Sequence, residues 1–166
     1  MKKLISLLLA LCMFAGLATA SAIPAAASSE LTSGGWYATA NEAALGFANS
    51  TMPLTRAEGV EYGAVVYRSF NWGTFRLGYT YTTPYRGTEN MVNHYVLAWF
   101  FLAPWLSVAT AHTHVRGNDF SPADISGANN RRFLCRYSYV ATPNGSLRRF
   151  DTRTQANELV YSGLTF

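Results

Sequence analysis

The chain has 166 residues, 49% of them apolar and only 13% charged, a balance that excludes intrinsic disorder and leaves room for one domain with an ordinary core. The formal charge of +4 overstates its basicity: without Lys2 and Lys3, 11 basic residues face 9 acids, a net of about +2. No other lysine exists, and the arginines are scattered except at 131–132 and 148–149, so there is no basic stripe of the kind that nucleic-acid binding requires.

Residues 1–27 have the three-part pattern of a cleaved secretory signal peptide. Lys2 and Lys3 form the charged start, Leu4 to Leu17 the apolar middle, and small residues offer cleavage after Ala20, Ala22 or Ala27. The segment is too short and wrongly flanked for a membrane anchor, and bulky Leu11 before Cys12 argues against a lipidated cysteine. A secreted or periplasmic product without a stable membrane span is expected. Cys135 would then be the one remaining cysteine, read as a small buried side chain in an aromatic run.

Residues 28–35 are small and polar and are expected to form a flexible lead-in to a single domain over 36–166. From Trp36 to about Ser50, apolar positions recur at three and four residues (Trp36, Ala40, Ala43, Ala44, Phe47), which predicts an amphipathic helix. Pro53 and Gly59 punctuate a loop. Glu61 to Arg68 and Phe75 to Thr82 read as two strands around Asn71-Trp72-Gly73, closed by Pro84 and Gly87. Pro104 divides the uncharged run from Tyr95 to Ala111, and Trp105 to His114 is expected to be a central strand. Trp99, Phe100, Trp105 and the tyrosines read as core.

Ser121 to about Asn130 predicts a short helix with Ser121 as N-cap, proline at its first position and an acid at its third. Phe133 to Ala141 reads as a strand, Pro143-Asn144-Gly145 as a hairpin turn, Leu147 to Asp151 as its partner, and Glu158 to Phe166 as one more strand. The fold class is α+β, built on one mixed sheet.

Chemistry concentrates at His112-Thr113-His114 and Asp124. Residues i and i+2 of a strand face the same side, so the two imidazoles project together. After the six-residue loop Val115–Phe120, the helix start can return Asp124 to them. Two imidazoles and one carboxylate would leave a fourth zinc position open for water, as catalytic sites do. His94 reads as a satisfied hydrogen-bonding residue. Arg131-Arg132 and Arg148-Arg149 read as solvated surface.

An acid at a strand start (Glu61, in Glu61-Tyr62-Gly63-Ala64-Val65-Val66), then His112-x-His114, then Ser121-x-x-Asp124, is similar to the motif of the JAB/MPN (JAMM) metalloproteases. Val115 stands where that family usually has proline, and six residues separate the second histidine from the serine where it has seven. Glu61-Tyr62-Gly63, His112-Thr113-His114, Phe120-Ser121-Pro122-Ala123-Asp124 and Ala141-Thr142-Pro143-Asn144-Gly145 more specifically resemble an uncharacterised bacterial domain found at the toxin ends of Rhs-type polymorphic proteins. The likeness runs from about Trp36 to Asp151.

It implies a JAB/MPN-like, cytidine-deaminase-like architecture. His112, His114 and Asp124 would hold Zn2+, Glu61 would be the general base, and Ser121 would bind the oxyanion. Glu58 is a rival for the acid role, but Glu61 opens the strand directly. The expected activity is zinc-dependent hydrolysis of a peptide or isopeptide bond in a peptide or protein substrate. The alternative is a non-catalytic secreted interaction or toxin-associated module.

Overall fold

The computed structural model describes residues 31–92 and 106–165, all within one unit, Leu31–Phe166. The expected signal peptide, His94, and the aromatic run up to Trp105 lie outside the described residues. The first helix among the described residues, α1 (Ala40–Glu58), begins four residues later than the apolar periodicity predicts and runs well past it. A capping box sets the start: Thr39 Oγ1 accepts from the Glu42 N–H and the Glu42 carboxylate accepts from the Thr39 N–H. Pro53 does not end the helix, contrary to the expected loop. It lies on the exposed side, where the carbonyl it leaves unmatched is open to water. The stop comes at Gly59, whose φ of 65° is the left-handed conformation that only glycine adopts without cost.

The strands are β1 (Tyr62–Asn71), β2 (Arg76–Tyr81), β3 (Tyr85–Arg86), β4 (Ser107–Thr113), β5 (Tyr137–Ala141), β6 (Ser146–Asp151) and β7 (Asn157–Ser162), and α2 (Pro122–Asn130) follows β4. They form one mixed sheet in the order β2-β1-β4-β5-β6-β7, with β3 beside the start of β1. Among the described strands only β4 and β5 run parallel, and α2 lies in the crossover between them. Before α1, Gly34 and Tyr37 hydrogen-bond to Tyr81 and Tyr79 of β2, so Trp36 and Tyr37 belong to the sheet margin rather than to the helix.

Alternation divides the sheet into two faces. Tyr62, Ala64, Val66, Ala109, Ala111, Tyr139, Ala141 and Leu147 pack against Ala43, Ala44, Phe47, Ala48 and Met52 of α1. Alanines on both sides let helix and sheet approach closely. The other face is thinner: Val140 and Phe150 meet Phe120, Ala128 and Ile125 around α2. Phe133 is not in a strand as expected. Residues 131–135 turn through hydrogen bonds from Leu134 and Cys135 N–H to the Arg131 carbonyl, leaving Phe133 86% exposed. Cys135 is buried as expected, and burial pushes its thiol up to about 11.

Candidate metal centre

β4 is the strand on which the site is built. It is central, with β1 on one side and β5 on the other, and all its residues but Val108 are buried. His112 and His114 project from the α2 face, as their spacing predicts. Between them Thr113 points the opposite way: its Oγ1 accepts from the Tyr62 N–H at 2.8 Å and lies 2.6 Å from Thr55 Oγ1 of α1. The histidine strand is thus pinned from behind to β1 and to α1. Nothing in the sequence distinguished Thr113 from any other strand threonine, because the bond depends on where α1 crosses β4.

The Val115–Phe120 loop returns the chain to the histidines in six residues. Gly117 takes a φ of 85°, and Asp119, whose Oδ1 also accepts from the adjacent Phe120 N–H, ties the far side of the loop to the sheet through Asn157 Nδ2 and Arg148 Nε. Ser121 caps α2 as expected: its Oγ accepts from the Asp124 N–H at 3.2 Å, and Asp124 Oδ2 accepts from Ser121 N–H at 2.7 Å.

The carboxylate does more than cap. Asp124 Oδ2 lies 3.1 Å from His114 Nε2, Asp124 Oδ1 lies 3.3 Å from His112 Nε2, and the two Nε2 atoms are 3.1 Å apart. Each residue offers a ligand atom, and these atoms lie within 4.8 Å of one another. Ligand arms of about 2.0–2.1 Å at tetrahedral angles give edges of about 3.3 Å, so a group with these separations could hold a metal ion.

The electrostatics follow from that crowding. Burial pushes His112 down, outweighing the nearby Asp124 carboxylate. Burial also pushes His114 down, but Asp124, by hydrogen bond and charge, together with the charge of Glu61, outweighs it and the net direction is up. Burial raises Asp124, yet its bonds to both histidines and to Ser121 win and hold it well below the usual carboxylate range.

Glu61 stands beside this group. Continuing the β1–β4 register by two pairs past Gly63 and His112 brings it opposite His114, on the same face. It is only 8% exposed rather than a solvated strand-edge acid, and burial pushes it up to about 7, with the Asp124 charge adding and the His114 charge opposing. The rival, Glu58, ends α1 and is engaged by Arg86 at 2.7 Å.

A cavity of about 590 Å³ opens over Glu61, His112, His114, Ser121 and Asp124 together. Its wall also includes Asn90, Met91, Val92, Arg116, Arg131 and Ser138, which no short-range sequence pattern singles out. Arg131 corrects the expectation of a solvated pair: it caps α2 from its C-terminal end, is half-buried, and its charge acts on His112. Arg148 and Arg149 instead form ion pairs with Asp119 and Glu158. Ser121 Oγ, expected to face an oxyanion, donates its proton to Asp124 Oδ2 at 2.6 Å.

A buried imidazole pair, a carboxylate held anionic, and a second buried acid on one cavity are a donor set with an adjacent proton carrier. Comparison with protein-family models, with curated proteins and with solved structures returns no match.

Proposed function

We propose that this chain is an exported zinc-dependent amide hydrolase, a peptidase or isopeptidase of the JAB/MPN type. The observation that carries the reading is the convergence of His112 Nε2, His114 Nε2 and the Asp124 carboxylate in one cavity with Glu61 and Ser121. His112, His114 and Asp124 would hold the ion. Zinc, when bound, supplies a strongly acidified water and a Lewis acid for a carbonyl oxygen.

The chain's own residues do the rest. Glu61 is not among the three converging ligands, so its carboxylate is available to take a proton and return it to a leaving amine. Its burial beside His114 keeps that transfer away from bulk water. Asp124, anionic and anchored by the Ser121 N–H, fixes the carboxylate edge that faces the histidines. Ser121 is assigned to the developing oxyanion. The role requires its one hydroxyl proton to turn from Asp124 Oδ2 into the cavity, and such a donor typically contributes about 3 kcal/mol.

The test is hydrolysis of quenched fluorescent peptides and of an isopeptide-linked pair by the zinc-loaded chain. Cleavage that stops on chelation, and that is lost in Glu61→Gln while zinc is retained, is the expected result. Undiminished cleavage by Glu61→Gln removes Glu61 from the mechanism. A zinc-loaded chain that cleaves none of these amides overturns the reading.

A further inference from the structure

The far end of β1 carries a feature that the hydrolase reading does not use. Phe70 and Leu77 are cross-strand partners in the β1–β2 hairpin, and Trp72 and Phe75 extend the same face into its loop. All four are exposed: Phe70 by 37%, Leu77 by 71%, and Trp72 and Phe75 by 77% each. They are organised rather than scattered. Phe70 meets Trp72 edge-on at 4.7 Å between centroids and Phe75 edge-on at 6.2 Å.

The backbone is strained to place them. Asn71 Oδ1 accepts from the Gly73 and Thr74 N–H groups, and the loop then closes through Phe75 at a φ of 53°. That is the left-handed conformation, which a phenylalanine adopts only at a cost and which loops of this length normally assign to glycine or asparagine. Strain held on a solvent-facing aromatic gains nothing for the core.

The charge around the tip has one sign. Residues 62–88 contain Arg68, Arg76 and Arg86 and no acid. Arg86 is paired with Glu58, whereas Arg68 and Arg76, both exposed, form no ion pair among the described residues. Arg68 shares the aromatic face and Arg76 lies on the opposite one.

We propose that the tip of the β1–β2 hairpin docks on an anionic lipid surface, with Trp72, Phe75 and Leu77 entering the interfacial layer and Arg68 and Arg76 resting against lipid phosphates. Amphipathic aromatic rings settle at the headgroup level, and unpaired arginines are drawn to an anionic leaflet. A second copy of this chain is a poorer occupant, because it brings four like-charged guanidinium groups together. β1 is 10 residues long, about 30 Å, so docking at Trp72 leaves the cavity beside Glu61 clear.

The test is sedimentation of the full chain with vesicles of phosphatidylcholine alone and of phosphatidylcholine mixed with phosphatidylglycerol. The N-terminal 30 residues are common to every protein compared, so only differences between wild type and variants are read. The expected result is preferential binding to the mixed vesicles, weakened by salt, and about tenfold weaker partitioning in the Trp72→Ser/Phe75→Ser and Arg68→Gln/Arg76→Gln variants. Circular dichroism identical to wild type shows that each variant is folded, and if one is not, the other carries the test. Equal partitioning by wild type and a folded variant overturns the proposal. So does an absence of anionic preference, or a concentration-dependent dimer that the Trp72→Ser/Phe75→Ser variant abolishes.

Discussion

At the start of α1, Thr39 Oγ1 accepts from the Glu42 N–H at 3.2 Å and the Glu42 carboxylate accepts from the Thr39 N–H at 3.0 Å. At the start of α2, Ser121 and Asp124 repeat the same reciprocal pair at 3.2 and 2.7 Å. In the first box the acid is exposed and, among the described residues, its carboxylate bonds only to the cap. In the second, the carboxylate is largely buried and both its oxygens also face imidazole nitrogens. The difference teaches that a cap motif explains only as much of an acid as the cap consumes. Glutamate at this position reaches back along its own helix, whereas the shorter aspartate on α2 sits where the Val115–Phe120 loop has brought the helix start over β4.

The largest effect expected from breaking this comparison is on metal affinity. Asp124→Asn keeps a carbonyl oxygen for the Ser121 N–H but removes the anionic ligand, so zinc binding should weaken by 10²-fold or more, on the order expected when a ligand set is disrupted. Calorimetric titration measures it, while circular dichroism should show α2 retained. Thr113→Val tests the support behind the histidines. It leaves the buried Tyr62 N–H without its partner and should cost about 1–3 kcal/mol in urea unfolding.

Asp151 extends the contrast to a third carboxylate. It too closes a turn, accepting from the Arg153 N–H at 2.8 Å and the Thr154 N–H at 3.4 Å, but its other oxygen meets the Arg136 guanidinium, a permanent cation, rather than imidazoles. Burial alone would raise it, yet Arg136 and the two backbone N–H groups outweigh that and hold it low. A depressed acid stabilises the fold above its unfolded value and loses that contribution as pH falls through the folded one. Asp151→Asn should therefore unfold at lower urea than wild type at neutral pH, with the gap closing below about pH 3.9. The smallest effect belongs to the first cap. Thr39→Ala should cost about 1 kcal/mol and leave zinc affinity unchanged.

Much of this site was legible in the chain because it is written in short-range grammar. A period of two places His112 and His114 on one face, and Ser121-Pro122-x-Asp124 is a helix start whatever surrounds it. The burial of Glu61 was not legible, since it depends on β1 pairing in register beside His114. Thr113 and Arg131 were missed for a related reason: one is defined by where α1 crosses the sheet, the other by how the end of α2 folds back over the cavity. Helix α1 overran its expected end because Pro53 falls on the solvent side, where losing one backbone donor is tolerated. The apolar neighbours of Phe133 predict a strand, but the Arg131 carbonyl turns the chain there first.

The most direct test is the zinc content of the purified chain after incubation with excess zinc and removal of free metal, measured by mass spectrometry of the metal for wild type, His112→Ala, His114→Ala and Glu61→Gln. One equivalent in wild type and Glu61→Gln, and none in either histidine variant, is the predicted result. No bound zinc in wild type, or one equivalent surviving in His112→Ala, would contradict the assignment of His112, His114 and Asp124 as a metal centre.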